Sequence, residues 1–234
     1  MIRRFDEDRP EMMDVATEAS PALKRDLRNL ASLNRRFGAT RAVVGQLDDL
    51  LRSRTPLRIV DFGTGGGDIP RAIVCRARAC GCPVSITAVD RQKPTLQIAE
   101  KFSEEFPEIT FVPSDLLEYS GGPYDIVLCN LVLHHFDESD VIRLLRRWRE
   151  IAEVAVLVTD LRRSRLAQMG IFAVTEIFYR EPMTRHDARL SAERAFSFGE
   201  MHRLALAAGW SGFVHRRCPV FRQLLWLDKD ARRR

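Results

Sequence analysis

Leu57-Arg58-Ile59-Val60-Asp61-Phe62-Gly63-Thr64-Gly65-Gly66-Gly67-Asp68 is the stretch on which the fold turns. A short apolar run ends in an acid. Four glycines then fall within five positions, and a helix-like pattern runs from Asp68 to Ala79. That is a strand, a tight turn and a helix. Glycines let the backbone take positive φ and let a ligand approach where a Cβ would block it. The helix beyond offers unpaired N–H groups to an anionic group. A dinucleotide turn wants G-x-G-x-x-G. Counted from Gly63 the sixth position is Asp68, and counted from Gly65 it is Pro70, so the pattern fails. A phosphate loop fails too, because no Gly-Lys-Ser/Thr follows. A pyrophosphate would also face Asp68. A zwitterion fits better: Asp61 meets an ammonium while the glycine turn takes a carboxylate.

Working outward, strand and helix alternate. Further strands are predicted at Ser85–Asp90, Ile109–Val112, Tyr124–Cys129 and Val154–Val158, with helices opening at Pro94 (closing near Pro107) and at Asp137 (through Arg149). The strands are continuous apolar runs, the mark of a parallel sheet buried on both faces. Ser197-Phe198-Gly199 precedes a helix over Glu200–Ala208. Phe213–Arg217 and Phe221–Leu227 pair as a hairpin with Pro219 in the turn. Before the first strand, Ser20-Pro21 opens one amphipathic helix that Gly38 ends, and Thr40–Arg52 forms a second. Residues 1 to about 19 read as irregular. The domain reading is a helical cap over 1–54 and a core over 55–234 with an insert at about 162–195. That insert carries Phe172, Phe178, Tyr179 and Met183. It is either a lid over an apolar substrate or an amphipathic helix packed on the core.

Two more acids stand at strand ends. Asp90 suits ribose hydroxyls. Asp115, backed by Leu116, suits an adenine edge and face. With Asp61 these describe a nucleoside bearing an amino acid. Asp61-x-Gly63-x-Gly65-x-Gly67, Asp90, Ser114-Asp115-Leu116 and the run Tyr124 to Phe136 resemble the successive motifs of class I S-adenosylmethionine (SAM) methyltransferases. They are most similar to the ubiquinone/menaquinone-biosynthesis type and its natural-product relatives. The resemblance covers residues 57–161 and resumes weakly over 195–227. It implies an α/β fold with a doubly wound, mostly parallel seven-stranded sheet and an antiparallel C-terminal strand. It implies SAM as cofactor. Asp61, Gly63, Thr64, Gly65 and Gly67 would hold the methionine part, Asp90 and Arg91 the ribose side, and Asp115 and Leu116 the adenine. Asn130 and Leu131 would line the methyl-transfer site.

Methyl transfer asks for alignment, worth about 7–11 kcal/mol of barrier. For a phenolic acceptor it also asks for loss of a proton that costs about 4 kcal/mol at neutral pH. A histidine can recover part of that cost. The candidates are His134, His135 and His186; His202 and His215 lie late in the chain and read as structural. No metal site is expected. Cys80-Gly81-Cys82 lacks the gap of a zinc knuckle, and five scattered cysteines suggest reduced thiols and a cytoplasmic protein. The N-terminus has no signal-peptide pattern, and no apolar run is long enough to span a membrane.

The net charge of +5 is spread as arginines among acids, with its densest run at Arg232–Arg234, and does not mark a nucleic-acid surface. The function expected is methyl transfer from SAM to a hydroxyl or carbon of an aromatic, quinol or polyketide-like small molecule, by a monomer or homodimer. The alternatives are an RNA methyltransferase, although Asn130-Leu131-Val132-Leu133 lacks the Pro-Pro signature of amino-directed base methylation, and a non-catalytic SAM-binding protein.

Overall fold

Ser20 starts the first helix: its side chain accepts a hydrogen bond from the Leu23 N–H, and α1 runs Pro21–Arg36. Gly38, at φ 79°, turns the chain into α2, Ala39–Arg52. The computed structural model describes residues 2–6, 8–178 and 181–229. The alternation then follows as β1 (Leu57–Phe62), α3 (Asp68–Cys80), β2 (Val84–Asp90), α4 (Lys93–Phe102), β3 (Ile109–Pro113), β4 (Tyr124–Asn130), α5 (Glu138–Ile151) and β5 (Ala152–Leu161). The insert is two helices, α6 (Arg165–Phe178) and α7 (Pro182–Arg194). The chain closes with α8 (Phe198–Ala207), β6 (Val214–Cys218) and β7 (Arg222–Asp228).

The seven strands lie in the order β3-β2-β1-β4-β5-β7-β6. β1 to β5 are parallel, and β7 enters antiparallel between β5 and β6. This is the expected doubly wound α/β sheet. β1 and β4 are neighbours, yet the chain leaves β1 toward β2 and returns at β4 from the other side. That reversal opens a crevice beyond their carboxyl ends, where ligands of such sheets bind.

Both faces of the sheet are buried, which is why the strands are apolar throughout. On one face Val60, Phe62, Val127 and Val156 pack under α5 and α8 around Trp148 and Trp210. On the other, Ile59, Ile86 and Leu128 pack under α2 and α3, with Val43, Leu47 and Leu51 of α2 in the same cluster. Trp148 is fully buried and stacks on Phe62 with ring centroids 5.4 Å apart. Trp148→Ala is expected to cost about 3–5 kcal/mol of stability in denaturant unfolding. A loss under about 1 kcal/mol would show that this face is not the centre of the core.

Several boundaries differ from the sequence reading. α4 stops at Phe102, before Pro107, because Ser103 ends it and a turn carries the chain to β3. α8 starts two residues early, since Ser197 and Glu200 form a reciprocal capping box. The largest difference is at the N-terminus. Residues 2–6 and 8–20 are irregular apart from a single turn at Met13–Val15, but they are not peripheral. Arg3 donates to the carbonyls of His134, Phe136 and Arg194, and its guanidinium lies 3.7 Å from the Phe196 ring. This segment carries no hydrophobic period, so nothing in its sequence shows that it crosses the carboxyl ends of the strands.

Candidate active site

The crevice holds one large cavity. Asp61, the glycine loop, Asp90, Leu116 and Asn130 to Val132 line its sheet side. Leu27, Leu30 and Leu33 of α1, Phe37 just after it, Ile171 and Val174 of α6, and Phe221 make its apolar walls.

The glycines divide the work. A Cβ on Gly63 would stand 2.3 Å from a Val132 methyl, so this glycine lets the loop after β4 pack on the loop after β1. Gly67, at φ 71°, is the N-cap of α3. Gly65, at φ 52°, has nothing within 4 Å of where a Cβ would be, and it lines the cavity. Its missing side chain leaves room for a ligand. Its N–H donates to Asp90 Oδ2 at 2.9 Å, and Asp90 Oδ1 accepts from the Gln92 N–H at 3.0 Å. Each carboxylate oxygen of Asp90 keeps a lone pair for a hydroxyl.

Asp61 is 2% exposed. Burial, with the charges of Asp68 and Asp90 nearby, pushes its carboxyl up to about 7. Only the carboxylate form can pair with a ligand's ammonium. Binding of an amino-acid-bearing nucleoside therefore draws the proton off Asp61. Affinity should fall about tenfold per unit as pH drops below 7, and level off above it. Calorimetric titration with S-adenosylhomocysteine between pH 5.5 and 8 checks this; a flat profile would show that Asp61 meets no cation.

Arg222, at the start of β7, is a site residue that the sequence reading missed. It is 7% exposed and lines the cavity. Nη2 donates to Asn34 Oδ1 at 3.2 Å, and Asn34 in turn donates to Asp68 Oδ2 at 3.1 Å. Nη1 is buried with no hydrogen-bond partner. Burial lowers its pKa to about 10, so it stays charged at neutral pH. An acid at Asp61, an open cradle at Gly65 and an unmatched guanidinium arm at Arg222 suit an amino-acid group, and the SAM set fits these residues.

Other predicted contacts fall unevenly. Thr64, Leu116, Asn130, Leu131 and Arg91 line the cavity. Leu131 holds φ 60°, rare for a branched side chain, where its N–H donates to the Thr159 carbonyl at 2.8 Å. Asp115 does not line the cavity; its Oδ1 accepts from the Leu117 N–H at 2.8 Å and shapes the turn that presents Leu116.

The three histidines separate. His186 is not at this site: its Nδ1 pairs with Asp187 Oδ1 at 2.8 Å, and it lines a separate depression with Arg9, Arg185 and Arg189. Helix α7 turns it away from the crevice. His134 and His135 both line the main cavity. His134 is buried, its Nδ1 2.7 Å from Asp160 Oδ1, and its backbone N–H donates to Asp160 Oδ2 at 3.1 Å. Burial lowers its pKa, but the charge and hydrogen bond of Asp160, with Glu11 beyond, outweigh that and raise it to about 10. A free imidazole of that basicity is charged at neutral pH and takes no proton there. His135 is more open, and its Nδ1 lies 3.0 Å from Asp14 Oδ2. Asp14 also pairs with Arg91 at 3.3 Å.

Glu11 and Asp14 come from the N-terminal segment and left no local signal. Asp160 did leave one: it is an acid near the end of an apolar strand, as Asp61 and Asp90 are. The insert lines the cavity with Gly170, Ile171, Val174 and Thr175. Phe172 sits on the opposite side of α6, half exposed under Arg189, and Met183 packs against the cluster of Leu23, Leu27 and Ile98. Where α6 faces the cavity it presents Ile171 and Val174 in place of the expected aromatic residue, because helical spacing turns 172 away from 171 and 174, and α7 adds Asp187 and Ser191. The Phe178 side chain and Tyr179 lie outside the described residues.

Comparison with known proteins follows this geometry. The family described as "Methyltransferase domain" matches residues 23–224. A search of curated protein sequences finds no significant match. Human N-acetylserotonin methyltransferase in complex with SAM is similar in structure, with TM-score 0.68 at 16% identity over 97% of this chain and 63% of that one. Magnesium protoporphyrin IX methyltransferase from Synechocystis, with bound S-adenosylhomocysteine, gives 0.59 at 17% identity, covering 87% and 85%. The plantazolicin methyltransferase BpumL gives 0.61 at 13% identity, covering 88% and 94%. The chain spans about three fifths of the length of the larger neighbours. No helix among the described residues is long and apolar enough to cross a membrane. With the family matched over nearly the whole strand-and-helix alternation, and a cavity suited to an aminoacyl-nucleoside at the sheet's switch point, the chain belongs to the methyltransferase domain family.

Proposed function

We propose that the protein methylates a hydroxyl group of a small, largely apolar acceptor, an aromatic, quinol or polyketide-like compound. The observation that carries this reading is the shape of the cavity beyond the cofactor residues. Aliphatic and aromatic side chains from α1, α6 and Phe221 wall it, while a polar cluster around Glu11 (Asp14, His134, His135, Asp187 and Ser191) also lines it. An apolar scaffold with one reactive oxygen matches that division.

Asp61 takes the cofactor's ammonium, Arg222 its carboxylate, Asp90 the ribose and Leu116 the adenine face. When bound, the cofactor supplies an electrophilic methyl on a sulfonium. The protein's own part is to align the acceptor oxygen and ease the loss of its proton. His135 is the group placed for that second task, held at Nδ1 by Asp14. His134, fixed between Asp160 and Glu11, orders the turn that carries it.

The test is a methyl-transfer assay with SAM and a panel of phenols, hydroquinones and enolic polyketides, read by mass spectrometry for the added methyl group. Methylation of oxygen on an apolar aromatic is expected. Transfer confined to RNA, or none to any class despite cofactor binding, would refute the reading.

A further inference from the structure

Glu11, His134 and His135 place three ligand atoms within 4.8 Å of one another at the edge of the cavity. We propose that these residues bind one divalent first-row transition cation of the zinc class, through a Glu11 oxygen and the two Nε2 atoms, with a remaining position open to the acceptor oxygen. The role at the acceptor rests on the methyl-transfer reading above; the binding site itself does not.

The distances carry the argument. Glu11 Oε1 lies 3.7 Å from His134 Nε2, and Glu11 Oε2 lies 3.8 Å from His135 Nε2. These are longer than hydrogen bonds. Two ligands bonded to zinc at about 2.0–2.1 Å stand roughly 3.3–3.8 Å apart at tetrahedral or wider angles. A simple imidazolium–carboxylate pair closes further, as His134 Nδ1 does with Asp160 at 2.7 Å. Glu11 instead accepts its short hydrogen bond from the Ser191 hydroxyl, at 2.5 Å. Its oxygens face both rings without closing on either.

The surroundings agree. Metal-bound histidines typically donate their other ring N–H to a carboxylate, which fixes the tautomer and aims the free nitrogen. Both rings here have that arrangement: His134 Nδ1 meets Asp160, fully buried, and His135 Nδ1 meets Asp14 at 3.0 Å. Two histidines and a glutamate with one open position form a ligand set used by catalytic zinc. Opening on the cavity gives the ion an entry path. A hydroxyl oxygen bound to it becomes more acidic, its proton passing to water, which is what methyl transfer to oxygen requires.

Chelator-stripped full-length protein titrated with Co²⁺ and Zn²⁺ tests this, with cobalt absorbance for geometry and elemental analysis after gel filtration for stoichiometry. One equivalent per chain and a low-coordinate cobalt spectrum are expected. Glu11→Gln and His135→Asn should each lose that equivalent while still binding S-adenosylhomocysteine in calorimetry, which shows that they fold. Asp160→Asn should weaken cobalt binding about 10–100-fold. No bound equivalent in the wild type, or uptake undiminished in both ligand variants, overturns the site and leaves the methyltransferase reading intact. Stoichiometric cobalt with no methylation of any acceptor leaves the site and overturns the acceptor reading.

Discussion

Gly65→Val is expected to abolish cofactor binding: S-adenosylhomocysteine should produce no heat with the variant at concentrations that saturate the wild type. The reason is local. A Cβ at 65 meets no protein atom, so the valine branches occupy the space left for the ligand. The backbone there sits at φ 52°, which costs a branched side chain about 1–2 kcal/mol. Some loss of thermal stability accompanies the loss of binding. Gly65→Ala separates the two effects, since it carries a similar backbone penalty with less bulk. Wild-type affinity in Gly65→Val would show that the cofactor lies elsewhere. Gly63→Val would not serve as the same test, because its side chain collides with Val132 and disturbs the fold itself.

The second large effect is on turnover. His135→Asn is expected to lower kcat by about 10²–10⁴-fold, the range for losing a group that manages a proton in the transition state. The affinity for S-adenosylhomocysteine should be unchanged, because none of the cofactor contacts assigned to Asp61, Gly65 or Asp90 involves this ring. His186→Asn, in the depression across α7, should leave kcat near wild type. A loss below about tenfold for His135→Asn would show that the acceptor's proton is lost without help from this residue. A parallel loss of cofactor affinity would show that His135 shapes the cofactor site instead.

How much of this was legible can be read residue by residue. Asp61, Gly65 and Asp90, which line the cavity, were legible because each sits at a junction that announces itself: an apolar run that ends, then an acid or a glycine. Asp160 ends its strand in the same way, but the strand was read only as far as Val158. Asp115 was found for its position, yet its carboxylate serves the turn and Leu116 faces the cavity. His134 and His135 are adjacent in sequence and looked interchangeable. Their difference comes from partners on other elements, Asp160 on β5 and Asp14 near the N-terminus.

The sequence by itself determined the parallel sheet, the helices on its two faces and the glycine turn that lines the cavity. Hydrophobic period, strand length, caps and glycine positions are properties of neighbouring residues, and they act before distant parts of the chain meet. Only the tertiary structure decided which charged groups complete the cavity. Glu11, Asp14 and Arg222 come from segments whose local sequence favours no regular element or reads as ordinary hairpin. Their placement follows from packing: Arg3 anchors the N-terminal segment over the turn at His134, and β7 slots between β5 and β6 to bring Arg222 inside. Buried charge is matched only by groups that the fold delivers from elsewhere, and that matching leaves no mark on the residues nearby.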